Sequence, residues 1–196
     1  MFRRILLCTL IATTALGFSD LVDLYIRRYN QVECNLSDDI KDLWCSWSYY
    51  FMKSANLSAN GMSLFITSCR SFEKCIESKA CGEGEEVETN KKFATSIGAL
   101  CNIYDFLEYR FKECGLKLKN VQRGTCFDDF MEKLYYVDQN TTSDGLLPIC
   151  KGYYGKDDCL NIQIKENCGE EMFIKFEENV IKNAMKSATC VERDDD

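Results

Sequence analysis

Thirteen cysteines and no histidine constrain this chain more than any other feature. Cys8 falls in an N-terminal apolar stretch. The other twelve are Cys34, Cys45, Cys69, Cys75, Cys81, Cys101, Cys114, Cys126, Cys150, Cys159, Cys168 and Cys190. They run the length of the chain and are even in number. Such a set implies a disulfide framework formed away from the reducing cytosol. The missing histidine removes the side chain most used for proton transfer near neutral pH.

The N-terminus explains the surplus cysteine. Arg3 and Arg4 precede an apolar run from Ile5 to Leu16, and Ala15-Leu16-Gly17 has the small-x-small form of a cleavage site. Residues 1–17 therefore read as a secretory signal peptide. About a dozen apolar residues fall short of the roughly 20 that span a bilayer. The charged end Val191 to Asp196 is no lipid-anchor signal. A secreted, extracellular protein is expected, with residues 18–196 as a single cysteine-rich domain long enough to bury a core. Losing Arg3 and Arg4 takes the formal net charge from -7 to -9. That balance disfavours nucleic acid and anionic lipid as partners. Asn35, Asn56 and Asn140 head Asn-x-Ser/Thr triplets and are the expected glycosylation sites.

The fold class is all-α, a disulfide-stapled bundle of about six to seven helices. Leu21/Val22, Tyr25/Ile26, Tyr29 and Val32 form one stripe. Ile40, Trp44, Trp47 and Phe51 form the next, with Ser37 as its N-cap and Asp38 and Asp39 in its first turn. Leu64/Phe65, Cys69, Phe72 and Ile76 make a third. Phe93, Ile97, Leu100/Cys101, Tyr104, Leu107 and Phe111 make the longest, with Gly115 at its C-cap. Phe127, Phe130/Met131, Leu134 and Val137 follow, opened by Thr125. A short element surrounds Ile162. Phe173, Phe176, Val180, Ala184 and Ala188 close the set behind Gly169-Glu170-Glu171. Cys69 and Cys75 are six apart, about 240 degrees around a regular helix, and so cannot pair on one helix. Gly82 to Asn90 and Val137 to Pro148 read as loops. No composition shift or repeat divides the chain at either.

The residues offer little for chemistry. There is no Cys-x-x-Cys pair and no histidine to complete a zinc site. The acids Glu83, Glu85, Glu86 and Glu88 lack the alternating ligands of an EF-hand loop. A Ser-His-Asp triad or Cys-His dyad is ruled out, and no Gly-x-Ser-x-Gly elbow or phosphate-binding glycine loop occurs. Carboxylate pairs are inevitable among 31 acidic residues and carry no weight. No catalytic residue, metal or cofactor is assigned, and no enzyme is expected. Aromatic residues are the remaining lead. Trp44, Trp47, Tyr49, Tyr50 and Phe51 lie within eight positions. Helical spacing assigns Trp44, Trp47 and Phe51 to the core and turns Tyr49 or Tyr50 outward. Tyr135-Tyr136 and Tyr153-Tyr154 repeat the pattern. Exposed tyrosines are common on binding surfaces. The leading expectation is a non-enzymatic module that binds an extracellular protein. The alternative is a carrier of a small apolar, lipid-like ligand between its helices.

Twelve cysteines, with Cys150, Cys159, Ile164 and Cys168-Gly169 leading into a final amphipathic helix, resemble a nematode extracellular domain, domain of unknown function nineteen. The resemblance covers about residues 34–190. It implies a secreted, disulfide-rich module and brings no catalytic residues to carry over.

Overall fold

The structure is a computed structural model that describes residues 31–55, 61–120, 126–135 and 152–187. The described residues form helices and turns, with no strand among them. The expected signal peptide with Cys8, and Cys150, Cys190, Asn56, Asn140 and Thr125, lie outside the described residues. Contacts divide the chain into two compact units, one on either side of the Ala94–Thr95 bond.

In the first unit α1 (Asp38–Ser54) and α2 (Met62–Lys79) pack together, and α3 (Glu85–Tyr109) begins. Ser37 stands at the N-cap of α1 with an extended backbone, but its hydroxyl makes no cap bond. Its carbonyl accepts from the amides of Ile40 and Lys41, both at 3.0 Å. Asp38 and Asp39 remain to complement the positive end of the helix. Trp44, Cys45, Phe51 and Met52 of α1 bury against Phe65, Ile66, Cys69, Phe72, Cys75 and Ile76 of α2. Two bridges staple the unit: Cys45–Cys75 between the helices and Cys34–Cys81 outside it, with Cα atoms 5.4 and 5.6 Å apart. Cys75 thus pairs across the helices and not with Cys69, as the angular argument requires. Cys69 and Cys101 are disulfide-bonded as well.

Two turns differ from the sequence reading. The acidic stretch is a loop only as far as Gly84. Glu85, Glu86 and Glu88 occupy the first turn of α3, where carboxylates meet the positive end of the helix dipole. Gly84, at φ 132°, supplies the carbonyl that receives the Glu88 amide at 3.1 Å. Gly115 is not a C-cap. α3 stops at Tyr109, and the amides of Arg110 and Phe111 both turn back to the Phe106 carbonyl at 2.9 Å. A new helix, α4 (Lys112–Asn120), then starts. Gly115 lies inside it, donating to the Phe111 carbonyl at 2.8 Å.

The second unit continues with α5 (Cys126–Tyr135), a single 3-10 turn (Lys156–Asp158) and α6 (Cys159–Cys168). A last helical run joins α7 (Glu170–Phe176), a π turn (Glu177–Ile181) and α8 (Lys182–Ser187). Glu170 and Glu171 occupy its first turn as the sequence suggests. The core gathers Ile103, Phe106, Phe111, Leu118, Phe127, Phe130, Leu134, Leu160, Ile164, Phe176 and Val180. Phe111 and Phe176 are its hubs. Their ring centroids are 4.9 Å apart, and Phe106, Phe127 and Phe130 stand 5.6 to 5.8 Å from one or the other. Tilted and edge-on rings at such separations gain about 0.5–1.5 kcal/mol per pair beyond burial. Cys114–Cys168 ties α4 to the end of α6, and Cys126–Cys159 ties the start of α5 to the start of α6. The second bridge needs Gly155, at φ 74°, because a Cβ there would stand 3.0 Å from the Cys159 sulfur.

Candidate interaction face

α1 is held to α2 along its inner side by more than apolar burial. The Trp44 Nε1–H donates to the Ser71 hydroxyl oxygen at 3.0 Å, and the Ser48 and Ser71 hydroxyls lie 2.9 Å apart. All three side chains are buried, so these bonds are shielded from water. Cys45–Cys75 locks the same stretch covalently. Asp42 pairs with Lys79 of α2, and the largely buried Lys41 reaches Asp38 at 3.9 Å. The helix is thereby a platform with a fixed rotation.

That rotation presents an apolar stripe to solvent. Ile40, Leu43, Trp47 and Tyr50 recur at helical spacing and are 44, 50, 46 and 64 % exposed. Trp47 and Ile40 are corrections, since the sequence reading assigned both to the core stripe. Trp47 instead leans edge-on against Phe51, with centroids 5.9 Å apart. Helical spacing turned Tyr49 or Tyr50 outward; both are exposed, Tyr50 the more. Tyr49 packs on Phe72 at 5.5 Å, Phe72 meets the half-exposed Phe93 at 6.0 Å, and Lys53 Nζ lies 5.4 Å over the Tyr49 ring. Half-exposed side chains of this size leave roughly 400 Å² of apolar surface on the stripe, the scale of a recognition patch. Leu43 was missed from sequence. Its signal was the interval of three from Ile40 on a helix whose inner face was already filled.

The other aromatic candidates fare differently. Tyr153 and Tyr154 are half-buried rather than displayed. Tyr154 donates to Glu177 Oε1 at 2.5 Å and packs on Phe173 at 6.1 Å. Burial first, and then the Glu177 carboxylate, push the Tyr154 phenol far above its ordinary range; burial alone raises Tyr153. Among the described residues no three His, Cys, Asp or Glu side chains converge as a metal site. Among the same residues no helix is long and apolar enough to cross a membrane. Asn35 is exposed. Of the twelve cysteines expected in disulfides, the ten described are bonded.

A protein family described as "Domain of unknown function (DUF19)" matches residues 27–191. The chain is 27% identical over 181 residues to "Excretory canal abnormal exc-13" of Caenorhabditis elegans, covering 88% of each protein. It is 31% identical over 126 residues to "UPF0376 protein F10G2.1" of the same organism, covering 62% of this chain and 61% of the relative. No solved structure matches.

Proposed function

The chain belongs to the family described as domain of unknown function DUF19, and from that membership we propose that it is a non-enzymatic extracellular binding module whose α1 stripe recognises a protein partner. The observation that carries this reading is Ile40, Leu43, Trp47 and Tyr50 standing half-exposed on a helix that buried hydrogen bonds and a disulfide hold in place. A rigid helix spends little ordering entropy on binding, and aromatic residues on a fixed support make effective anchors. Asp38 and Asp39, exposed at the start of the stripe, favour a partner with basic groups beside its apolar surface. The disulfide-rich helical architecture fits an extracellular module. The absence of histidine from the whole sequence supports binding over hydrolytic turnover. The carrier alternative gains no specific support, because the core rings of the second unit fill the space around Phe111 and Phe176 themselves.

The test compares oxidised wild-type protein with a Leu43→Glu/Tyr50→Ser variant of matched melting temperature. Both are immobilised and exposed to extracellular proteins of Caenorhabditis elegans. The expected result is a species retained by wild type and bound at least about tenfold more weakly by the variant. Equal retention by the two proteins would remove α1 as the binding face.

A further inference from the structure

The α1 stripe has the same spacing read from either end. Ile40, Leu43, Trp47 and Tyr50 are separated by three, four and three residues. That alternation is the seam of a helix pair, in which two facing helices interlock side chains every three or four positions. A second row, Asp39, Ser46 and Lys53, lies along one flank of the seam at intervals of seven. All three are exposed. The row carries a negative charge at one end, a positive charge at the other and a small neutral residue midway. The opposite flank, Trp44 and Phe51, is buried against α2.

Such a face complements its own copy. Two α1 helices set antiparallel, with the two-fold axis beside Cys45 and Ser46, bring Ile40 to Tyr50 of the other copy and Leu43 to Trp47. Each contact occurs twice, as an isologous interface requires. On the open flank Asp39 meets Lys53 of the other copy at both ends. Ser46 meets its own image at the axis, where a charge would be repelled. A parallel pairing would instead set this row against the Trp44 and Phe51 flank, which α2 already covers. The Lys53 ammonium lies 5.4 Å over the Tyr49 ring of its own chain, on a flexible four-carbon stem that also reaches across a helix pair.

Resting on the reading of α1 as a recognition face, we infer that the occupant of its stripe is the α1 stripe of a second copy of this chain, bound antiparallel in a reversible dimer. The basic group that Asp38 and Asp39 call for on a partner is then Lys53. Covering both stripes removes about 800 Å² of apolar surface, and the flanking rows bring the total to about 1,200 Å², the low end for a specific complex. A dimer of this size exchanges with its monomer.

Sedimentation equilibrium of the oxidised, secreted protein from about 1 μM to about 1 mM spans the affinities of such an interface. The expected result is a monomer–dimer equilibrium with a dissociation constant on the order of 10 μM. Asp39→Lys and Lys53→Asp each place like charges at both ends, and each should weaken self-association at least about fivefold. An equimolar mixture of the two variants forms a heterodimer with opposite charges at both ends. It should return to within about twofold of wild type, which also shows that both variants fold. A wild-type monomer throughout that range overturns the inference. So does a dimer that the reversals leave unchanged, or whose mixture fails to recover. A monomer that still retains a foreign extracellular protein, lost in Leu43→Glu/Tyr50→Ser, overturns the second copy as occupant and leaves α1 as a recognition face. A dimer that Leu43→Glu/Tyr50→Ser does not weaken overturns the inference by placing self-association on another surface.

Discussion

Ser71→Ala probes the polar centre of the α1–α2 contact. Ser71 accepts the indole N–H of Trp44 and is hydrogen-bonded to the Ser48 hydroxyl, and all three side chains are buried. The alanine leaves both groups without their partner. The Ser48 hydroxyl has a fallback in the carbonyl of Trp44, four residues earlier on the same helix. Removing the hydroxyl that accepts a buried indole N–H costs about 1–3 kcal/mol. The expected loss is about 2 kcal/mol, which at a urea dependence of about 2 kcal/mol per molar moves the unfolding midpoint down by about 1 M. Both tryptophans, Trp44 and Trp47, lie in α1, so their fluorescence during urea unfolding with disulfides intact reports on the first unit. Trp44→Phe removes the donor and leaves Trp47 as reporter. The double variant should be about 1 kcal/mol more stable than the sum of the two single effects. A loss below about 0.5 kcal/mol for Ser71→Ala, or strict additivity in the cycle, would refute the claim that these bonds fix the helix.

The remaining predictions address the bridges, a glycine and a phenol. Cys45→Ala/Cys75→Ala opens a loop of 30 residues and should cost about 3–4 kcal/mol, read from the same urea transitions. Gly155→Ala forces a side chain into a backbone region reserved for glycine and 3.0 Å from the Cys159 sulfur; calorimetry should show a loss of about 2 kcal/mol. Gly115→Ala, helical and with its nearest neighbour 3.7 Å from the new Cβ, should instead stabilise by about 0.5–1 kcal/mol. Tyr154 has a raised phenol pKa when folded, so its contribution is constant below the ordinary tyrosine value near 10 and is lost as pH rises above it, where the unfolded phenol ionises first. Tyr154→Phe should therefore flatten the fall in stability above pH 10, and an unchanged alkaline slope would exclude this phenol as its source.

The helical class and most of the buried face were legible because period 3.6 survives in residues such as Phe65, Cys69, Phe72 and Ile76. The side of α1 was harder. Its inner face includes Ser48 and Lys41, polar residues buried through a serine pair and an ion pair with Asp38 that no hydropathy pattern records. With those two counted as outside, Trp47 and Ile40 were drawn into the core and the stripe vanished. The start of α3 was misread for a related reason. Four acids beside glycines look like a loop in composition, yet the helix dipole favours acids in a first turn. The turn at Phe106 is set by two amides competing for one carbonyl, a geometry with no sequence signature.

Nested bridges change what a single chain cleavage can do. A protease that cuts once anywhere between Cys45 and Cys75 leaves two pieces joined by both Cys45–Cys75 and Cys34–Cys81. A cut between Cys126 and Cys159 leaves pieces joined by both bridges of the other nest. Nicked protein then migrates as intact on a gel without reductant and falls apart only when thiol is added. In a medium rich in peptidases, one nick in either loop releases no fragment, and the helices it interrupts stay tethered at full local concentration.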